Sequence, residues 1–489
     1  MHKFLKFNKK RQLRHKKVSF QCDETLLRNG QKIIKNSLEK VRKTIPAAFE
    51  FLKNLSTLLD KNNALFVTNV SPVAKGNRCF FCFKEVKMTA TQKKYPNGYV
   101  YLSIMLGMLT AFAPFVTDFY LPALPSLTNY FSASASSVQM SLTMSMLGLA
   151  CGQLLVGPIS DKFGRKKLLI ASLVVFLVTT LLCLFAPNIW SFNLYRLFQG
   201  MAGSGGLVIS RSVTTDSFRG KLLSKFLALV SAINGIAPVT APVFGGILLK
   251  FTSWKGTFVA LLVIGVVLLG LALRFTETLA ERRRSQKSLL STFALYGKVL
   301  KNGEYVRNLM IFVTSSFVLF AYISASPFIF QVGYGFSPMM FSFVFALNAV
   351  GIGVGCALSS QFSEDLKALR FGAVLLVIAS IVAFSLLFVK AGPIWVEASF
   401  FVLLFSFGLL QPPATAQTLR TERANGGTAS ALMGALGFMM GSIASPLVGV
   451  GDTFQTLGIA LLVGSVAVLF STLVATSSRY KKVTAPVVA

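Results

Sequence analysis

Polar side chains interrupt the long apolar stretches of this 489-residue sequence at only a few positions. Asp118 ends the first stretch, and Arg196 and Gln199 stand one turn apart in the fourth. A guanidinium stays protonated in proteins, whereas a partly desolvated carboxylate can take up and release a proton. The pattern indicates a proton-binding Asp118 whose charge Arg196 influences and a Gln199 that orients Arg196. Two simpler interpretations stay open: a water-facing Asp118, and a structural Arg196 that bonds backbone carbonyls.

A second group of charged residues and glycines lies near the turn between the second and third apolar stretches. The turn reads Gly157-Pro158-Ile159-Ser160-Asp161-Lys162-Phe163-Gly164-Arg165-Lys166-Lys167. Its glycines allow close approach and a tight turn, and Asp161 can accept hydrogen bonds from a helix N-terminus. With Arg211 and Asp216, at the inner end of the fourth stretch, Asp161 and Arg165 are expected to form a charge cluster that latches one conformation. Unrelated surface charges are the alternative.

These residues are set in a chain with the composition of a polytopic membrane protein. It is 53% hydrophobic and 13% charged, with a mean hydropathy of +0.64, whereas soluble domains carry about 25% charged residues. Apolar runs of about 18–25 residues recur, long enough to cross a bilayer as helices. Helices are expected because unpaired backbone groups cannot face lipid. The predicted spans are 99–117, 135–156, 168–186, 191–213, 224–249, 255–274, 306–331, 338–361, 371–390, 394–418, 427–449 and 454–476.

The pattern of six spans, a break and six more predicts an all-α membrane protein with twelve transmembrane helices in two six-helix bundles. The expected segments are an N-terminal extension 1–98, bundles 99–274 and 306–476, a linker 275–305 and a tail 477–489. Loop 362–370 corresponds in position to loop 157–167, as a faint copy at best. Glycines at 351, 353 and 355 in the eighth span would suit a close contact with the fifth.

The basic residues explain the orientation of the chain. The loops on one side of the predicted membrane hold nearly all the Lys and Arg, which makes that side cytoplasmic, together with both termini and the linker. Of the net charge of +32, residues 1–87 contribute +14 (20 Lys/Arg against 6 Asp/Glu), so the other 402 residues contribute +18. Topology accounts for much of that +18, and no nucleic-acid partner is needed to explain it.

Residues 1–87 leave three interpretations open. They form a basic amphipathic arm on the anionic leaflet, a poorly ordered tail, or a segment that is not translated because Met88 is the start. The two histidines, His2 and His15, both lie there, so no metal site or cofactor is expected. An enzyme is not expected either, since the sequence has no P-loop, G-x-S-x-G or H-E-x-x-H motif.

Five motifs resemble those of a known family. The turn at 157–167 resembles the signature of the major facilitator superfamily, and Asn193–Gly200 resembles that superfamily's second motif in drug:proton antiporters. The run Asn234–Gly246 is similar to the antiporter motif, which it matches at Gly235, Pro238, Pro242, Gly245 and Gly246. Thr117–Pro125 and Gly426–Leu432 resemble the Bcr/CflA multidrug-resistance transporters. The resemblance covers about residues 99–476.

The resemblance implies a monomeric transporter in the cell's inner (plasma) membrane, surrounded by lipid, which exports drugs or other amphipathic molecules in exchange for protons. Its two bundles would rock around a central site, for which Tyr120, Tyr322, Gln331 and Gln411 are pocket candidates. Two alternatives remain: a carrier of one metabolite or nutrient in the same fold, and a non-transporting receptor or scaffold that works through its basic arm.

Overall fold

The computed structural model describes residues 97–286 and 289–477. The predictions made for residues 1–87, for the start at Met88 and for the tail beyond Ser477 lie outside the described residues.

Long helices follow one another through the described chain. They are α1 (Tyr99–Asp118), α3 (Ala135–Phe163), α4 (Arg165–Leu184), α5 (Ile189–Ser217), α6 (Gly220–Leu248), α7 (Trp254–Arg274), α9 (Gly303–Pro327), α10 (Pro338–Ser359), α11 (Asp365–Phe388), α12 (Pro393–Thr421), α13 (Gly426–Val448) and α14 (Thr453–Thr476). Within the described residues, 10 helices are long and apolar enough to span a membrane. The other two long helices are α5, which carries Arg196 and Gln199, and α6, in which the apolar segment is Ile236–Leu248.

Shorter elements join the long helices. After α1 the chain continues through a 3-10 turn, Leu121–Ala123, into α2 (Leu124–Phe131). The basic linker, expected only as a polar stretch, contains a 3-10 turn, Glu281–Arg283, and the helix α8 (Leu289–Leu300). A π-helical turn, Phe328–Gly333, extends α9 at its outer end.

Glycines set the helix crossings within each bundle. A Cβ at Gly148 of α3 would lie 2.0 Å from the carbonyl oxygen of Leu197 in α5, so the two backbones touch there. The second bundle repeats this contact between α10 and α12, where a Cβ at Gly355 would lie 2.2 Å from the carbonyl oxygen of Phe405. Small residues at helix interfaces allow such close packing in membranes. Gly351 and Gly355 therefore face α12 and not α6, contrary to expectation, and a Cβ at Gly353 would meet nothing within 4 Å.

The two bundles meet closely on the side opposite the turn 157–167, which the sequence predicts to be the outer side of the membrane; the turn lies on the predicted cytoplasmic side. One apolar cluster there combines Tyr120, Leu121 and Leu124 of the first bundle with Ile323 and Phe330 of the second. Polar contacts join the same region. The Ser445 hydroxyl of α13 donates to the backbone oxygen of Gln139 in α3 at 3.1 Å, and the Gln139 side chain donates to the backbone oxygen of Ser324 in α9 at 3.3 Å. The structure is thus closed on its outer side.

Helix α8 connects the bundles at the cytoplasmic side. Its residues Tyr296 and Val299 pack with Tyr305 of α9 and Leu432 of α13. The Tyr296 hydroxyl donates to the backbone oxygen of Leu154 in α3 at 3.1 Å. Burial, with a smaller contribution from Asp161, raises the pKa of Tyr296 to about 12, so this hydroxyl remains a donor. The linker is therefore anchored to both halves.

Candidate functional site

Asp118 is the last residue of α1 and is withdrawn from water. It is 4% exposed, and Arg196 of α5 interacts with it electrostatically. The chain turns sharply after it, because Pro122 begins the next short element. The end of a helix leaves carbonyl groups without partners, and Arg196 supplies one of the missing donors. Its Nη2 donates to the backbone oxygen of Val116 at 3.0 Å.

Arg196 is completely buried and is held on several sides. Its Nη1 donates to the Gln199 side-chain oxygen, and the amide nitrogen of Gln199 in turn donates to the Thr180 hydroxyl of α4 at 2.7 Å. The guanidinium lies over the Tyr120 ring, 4.2 Å from its centroid, and 5.7 Å from that of Phe258. Its Nε has no hydrogen-bond partner. Cation–π contact in a dry site is worth about 2 kcal/mol, which helps to keep the charge there.

Arg196 bonds a backbone carbonyl, as its structural interpretation predicts. The Asp118 carboxylate lies in the same region, but among the described residues the two groups form no ion pair within 4 Å. A role of the two residues in proton coupling stays a prediction.

Tyr120, a pocket candidate, covers this site from outside. Its hydroxyl is 3.0 Å from the Ser141 hydroxyl of α3, and its ring packs edge-on against Phe258 of α7. Of the other candidates, Gln411 of α12 donates to the Ser315 hydroxyl of α9 at 3.3 Å, and Gln331 lies in the outer π-helical turn. Tyr322 is fully buried between helices of the second bundle. Tyr120 and Tyr322 belong to one apolar cluster that contains residues of both bundles.

The cytoplasmic charge cluster forms around Arg165, the first residue of α4. Its Nε donates to Asp216 of α5 at 3.1 Å, and its Nη1 contacts both Asp161 and the Ser160 hydroxyl of α3. Arg165 thus joins α3, α4 and α5 within one bundle. The Asp161 side chain is 51% exposed, and its backbone oxygen accepts from the Ser285 amide of the linker at 2.9 Å.

Arg211 is not part of this cluster. It lies on α5 a turn from Asp216, and among the described residues it makes neither an ion pair nor a hydrogen bond. Gly157 is also not in close contact with anything: a Cβ there would have open space around it.

Gly164, in contrast, has a backbone conformation that only glycine adopts easily. Its φ is +101°, and a Cβ there would lie 2.6 Å from the carboxylate of Glu277. That carboxylate accepts from the backbone amide of Lys166 at 3.0 Å, and the Lys166 ammonium donates to the Leu273 carbonyl at 2.8 Å. Glu277 therefore caps the N-terminus of α4, where a negative charge is favourable. Sequence reasoning missed Glu277 because it lies 111 residues away from Lys166.

The second bundle contains a counterpart with the charges exchanged. Asp365, the first residue of α11, accepts from the Gln417 amide at 2.8 Å and lies 3.7 Å from the Arg420 guanidinium near the end of α12. Arg165 and Asp216 hold the equivalent places on α4 and α5. Loop 362–370, the predicted counterpart of loop 157–167, thus also leads into an ion pair, but the acidic and the basic residue have exchanged helices.

The glycines and prolines of the antiporter motif lie along the outer half of α6. A Cβ at Gly245 would lie 2.0 Å from the Phe119 carbonyl oxygen, next to Asp118. One at Gly246 would lie 2.1 Å from the Ser342 hydroxyl of α10, in the other bundle. That hydroxyl donates to the Pro242 carbonyl at 2.8 Å. Pro238 is half-buried one turn earlier, and Gly235 is at a position whose surroundings the structure does not describe.

Glu397 was not singled out from the sequence, although it is an acidic residue in an apolar stretch. It lies near the outer end of α12 and accepts a hydrogen bond from Asn348 of α10 at 3.1 Å.

As for metal ions, no group of three or more His, Cys, Asp or Glu suited to hold one occurs among the described residues.

The fold and the buried polar residues define a helical membrane transporter with two bundles and a charged site at their outer half. Residues 106–446 match the Major Facilitator Superfamily, and the chain belongs to that family. It is therefore a multi-pass membrane protein and a transporter of small molecules rather than an enzyme.

Relatives with similar sequences are bacterial transporters. The chain is 36% identical over 361 residues to the "Uncharacterized MFS-type transporter YdgK" of Bacillus subtilis, covering 72% of this chain and 89% of that protein. It is 27% identical to the "Bicyclomycin resistance protein homolog" of Haemophilus influenzae, covering 71% and 88%. It is also 27% identical to the "Multidrug transporter MdfA" of Escherichia coli, covering 65% and 79%.

Solved structures share the fold at low sequence identity. A partially occluded inward-open form of the xylose transporter XylE from E. coli has a TM-score of 0.62 at 13% identity, covering 76% of this chain and 96% of that one. An inward-facing bacterial homolog of the human lysosomal transporter Spinster has a TM-score of 0.54 at 17% identity, covering 77% and 94%.

Proposed function

We propose that this protein exports drugs or other amphipathic small molecules in exchange for protons, as a transporter of the Bcr/CflA type. The observation that carries the proposal is the buried carboxylate of Asp118 at the end of α1, beside the fully buried Arg196. The names of the Haemophilus and Escherichia relatives give it support, because both concern drug resistance or drug transport.

The site suggests a simple coupling scheme. A charged Asp118 attracts the Arg196 guanidinium, while a protonated one leaves that guanidinium to the Val116 carbonyl and Gln199. Since Val116 and Asp118 belong to the same helix end, a proton on Asp118 would alter how α1 is fastened to α5. Gly245 packs on the next residue, Phe119, so the change would reach α6 and its contact with the second bundle.

The cytoplasmic cluster fits the same cycle. Arg165 holds α3, α4 and α5 together as one body, so the bundle can move as a unit. The half-exposed Asp161 can take a further partner when the bundles rearrange. In this proposal Arg165 keeps these three helices together throughout the cycle, and Asp161 gains a further partner in the state that is open to the outside.

The orientation and assembly are proposals as well. The basic loops place both termini on the cytoplasmic side of the bacterial inner membrane. We also propose a monomer, because transporters of this family typically function as monomers.

The experiment is drug-induced proton movement in inverted membrane vesicles, followed with a pH-sensitive dye. Wild type, Asp118→Asn and Arg196→Ala are compared over chemically unrelated drugs. Glu281→Gln is the matched control, because Glu281 is 86% exposed and pairs only with the nearby Arg284. We expect a response to several drugs in wild type and control, and its loss in Asp118→Asn.

The other outcomes are informative. A response that survives Asp118→Asn keeps the antiporter but moves its proton site elsewhere. No response to any drug, with folded protein in the vesicles, would contradict drug export and favour a carrier for one metabolite.

A further inference from the structure

The second bundle holds a polar cluster that the proposed cycle does not use, with two buried members and one that is partly buried. It consists of Tyr322 on α9, Asn348 on α10 and Glu397 on α12. The amide nitrogen of Asn348 donates one hydrogen to the Tyr322 hydroxyl at 2.8 Å and the other to Glu397 Oε2 at 3.1 Å. Asn348 thus uses both of its amide hydrogens and ties three helices together.

Two oxygen atoms of this cluster are buried without a partner. They are Oε1 of Glu397 and Oδ1 of Asn348. A buried acceptor left without a hydrogen bond destabilises the fold, and more so if the group is charged. The carboxylate of Glu397 and the amide of Asn348 are already joined by the hydrogen bond from the amide nitrogen to Oε2. The two unpartnered oxygens are both acceptors, so neither can satisfy the other unless a hydrogen is added.

A single proton would satisfy both oxygens. A carboxylic acid has one donor and one acceptor, and so does the face of a primary amide. With a proton on Oε1, Glu397 donates to Asn348 Oδ1 while Asn348 donates to Oε2. The result is a two-bond acid–amide pair.

The surroundings supply no other counter-charge for Glu397. Four helices pack against α12, namely α9, α10, α11 and α13. The Tyr322 hydroxyl is the titratable group that faces the cluster from them. Charged residues of α9 and α11 lie near the cytoplasmic ends of those helices, at Glu304, Arg307, Asp365, Lys367 and Arg370; α10 and α13 have none.

The nearest basic residue along the chain on the outer side is also engaged. Lys390, just beyond α11, forms an ion pair with Asp452 at 2.8 Å. Aromatic rings enclose the cluster: Phe345 stacks on Tyr322 at 5.9 Å between centroids, and Phe400 meets the same ring edge-on at 5.2 Å. Among the described residues no cation contacts this carboxylate, and the aromatic surroundings disfavour its charged form.

We propose that Glu397 is a second proton-binding site of this protein, which holds one proton between its Oε1 and Oδ1 of Asn348 when the outer side is closed. The inference goes beyond drug export, because it concerns a bound proton whatever the substrate is. The site lies in the opposite bundle from Asp118. Opening of the outer side would admit water to the cluster and let the proton exchange.

Infrared difference spectroscopy of the purified, full-length protein tests this directly. Wild type and Glu397→Gln are compared at neutral pH in the carbonyl-stretching region of protonated carboxylic acids. We expect an acid band in wild type that Glu397→Gln lacks and that shifts in Asn348→Ala, where the acid loses its acceptor. Glu364→Gln is the control, because Glu364 is exposed and lies near Lys367. It should leave the band unchanged.

Thermal unfolding provides a second measurement. Glutamine can donate to Asn348 Oδ1 as the acid does, so Glu397→Gln should match the wild-type Tm at neutral pH. At alkaline pH the wild type must lose the proton, and its Tm should fall further than that of Glu397→Gln. The proposal would be overturned by an ionised Glu397 at neutral pH or by equal Tm losses in both proteins. Neither measurement needs a substrate, so they stay decisive even if drug export is disproved.

Discussion

Gly246→Ala is expected to open the outer side of the transporter. The added Cβ would lie 2.1 Å from the Ser342 hydroxyl and 2.9 Å from the Pro338 carbonyl oxygen, both on α10. Rotating the hydroxyl away would break its hydrogen bonds to the Pro242 and Pro338 carbonyls, each 2.8 Å long. The Pro338 oxygen belongs to the backbone, so the two bundles must separate slightly.

The size of the effect follows from the kind of contact. Overpacking a close contact costs about 1–3 kcal/mol. Here the cost falls only on the outward-closed state, because α6 and α10 belong to different bundles and part when the outer side opens. A difference of about 1–3 kcal/mol changes the ratio of the two states roughly 5- to 150-fold.

Electron–electron distance measurement between spin labels would detect the shift. Labels at Phe251, beyond α6, and at Val389, beyond α11, are suitable because these side chains are 82% and 70% exposed. The six native cysteines would first be replaced. We expect the longer-distance population to grow in Gly246→Ala.

Two other glycines provide controls. A Cβ at Gly270 of α7 would meet nothing within 4 Å, so Gly270→Ala should change nothing. Gly148 packs on the Leu197 carbonyl within the first bundle, so Gly148→Ala should lower the Tm without favouring the open state. An unchanged distance distribution in a folded Gly246→Ala protein would refute the reasoning.

Three further predictions concern the anchoring contacts. Gly164→Ala should cost about 1–3 kcal/mol, from strain at positive φ and displacement of Glu277, and lower the Tm by several degrees, whereas Gly157→Ala should not. The hydrogen bond from Lys390 lowers the pKa of Asp452 below its usual range. The ionised carboxylate therefore stabilises the fold at pH values above its ordinary pKa of about 3.9. This stabilisation is lost as the pH falls through the lowered pKa. Asp452→Asn should therefore lower the Tm slightly at neutral pH and reduce its fall in acid, and equal acid sensitivity would contradict this. Tyr296→Phe should weaken the anchoring of α8 by about 0.5–1.5 kcal/mol, visible as faster hydrogen exchange in that helix and not in α7.

The sequence allowed the helical architecture to be predicted because lipid imposes a simple rule on every span. Apolar length alone locates most of the helices, and the break at 275–305 separates the halves. Helix α8 escaped prediction because it lies in a basic stretch and its apolar residues, such as Tyr296 and Val299, become buried only against both bundles.

The site was predictable where a residue is costly to bury and not where its role depends on a distant partner. Asp118 and Arg196 stand out because a charge in an apolar stretch needs a reason. Glu277 does not, since its role arises when the fold brings it to the start of α4. Glu397, like Arg196, is a charged residue within an apolar stretch, but it belongs to none of the motifs described above. The glycines of α10 are a third case. Their small size predicted a close contact between helices, but it did not indicate which helix they would face.

The exchanged charges of the two halves have a consequence for comparing them. Arg165 pairs with Asp216 in one half, and Asp365 lies close to Arg420 in the other. Both halves have complementary charges at two helix ends, and either helix can carry either sign. The correspondence of the halves is therefore visible in this interaction and not in the residue types.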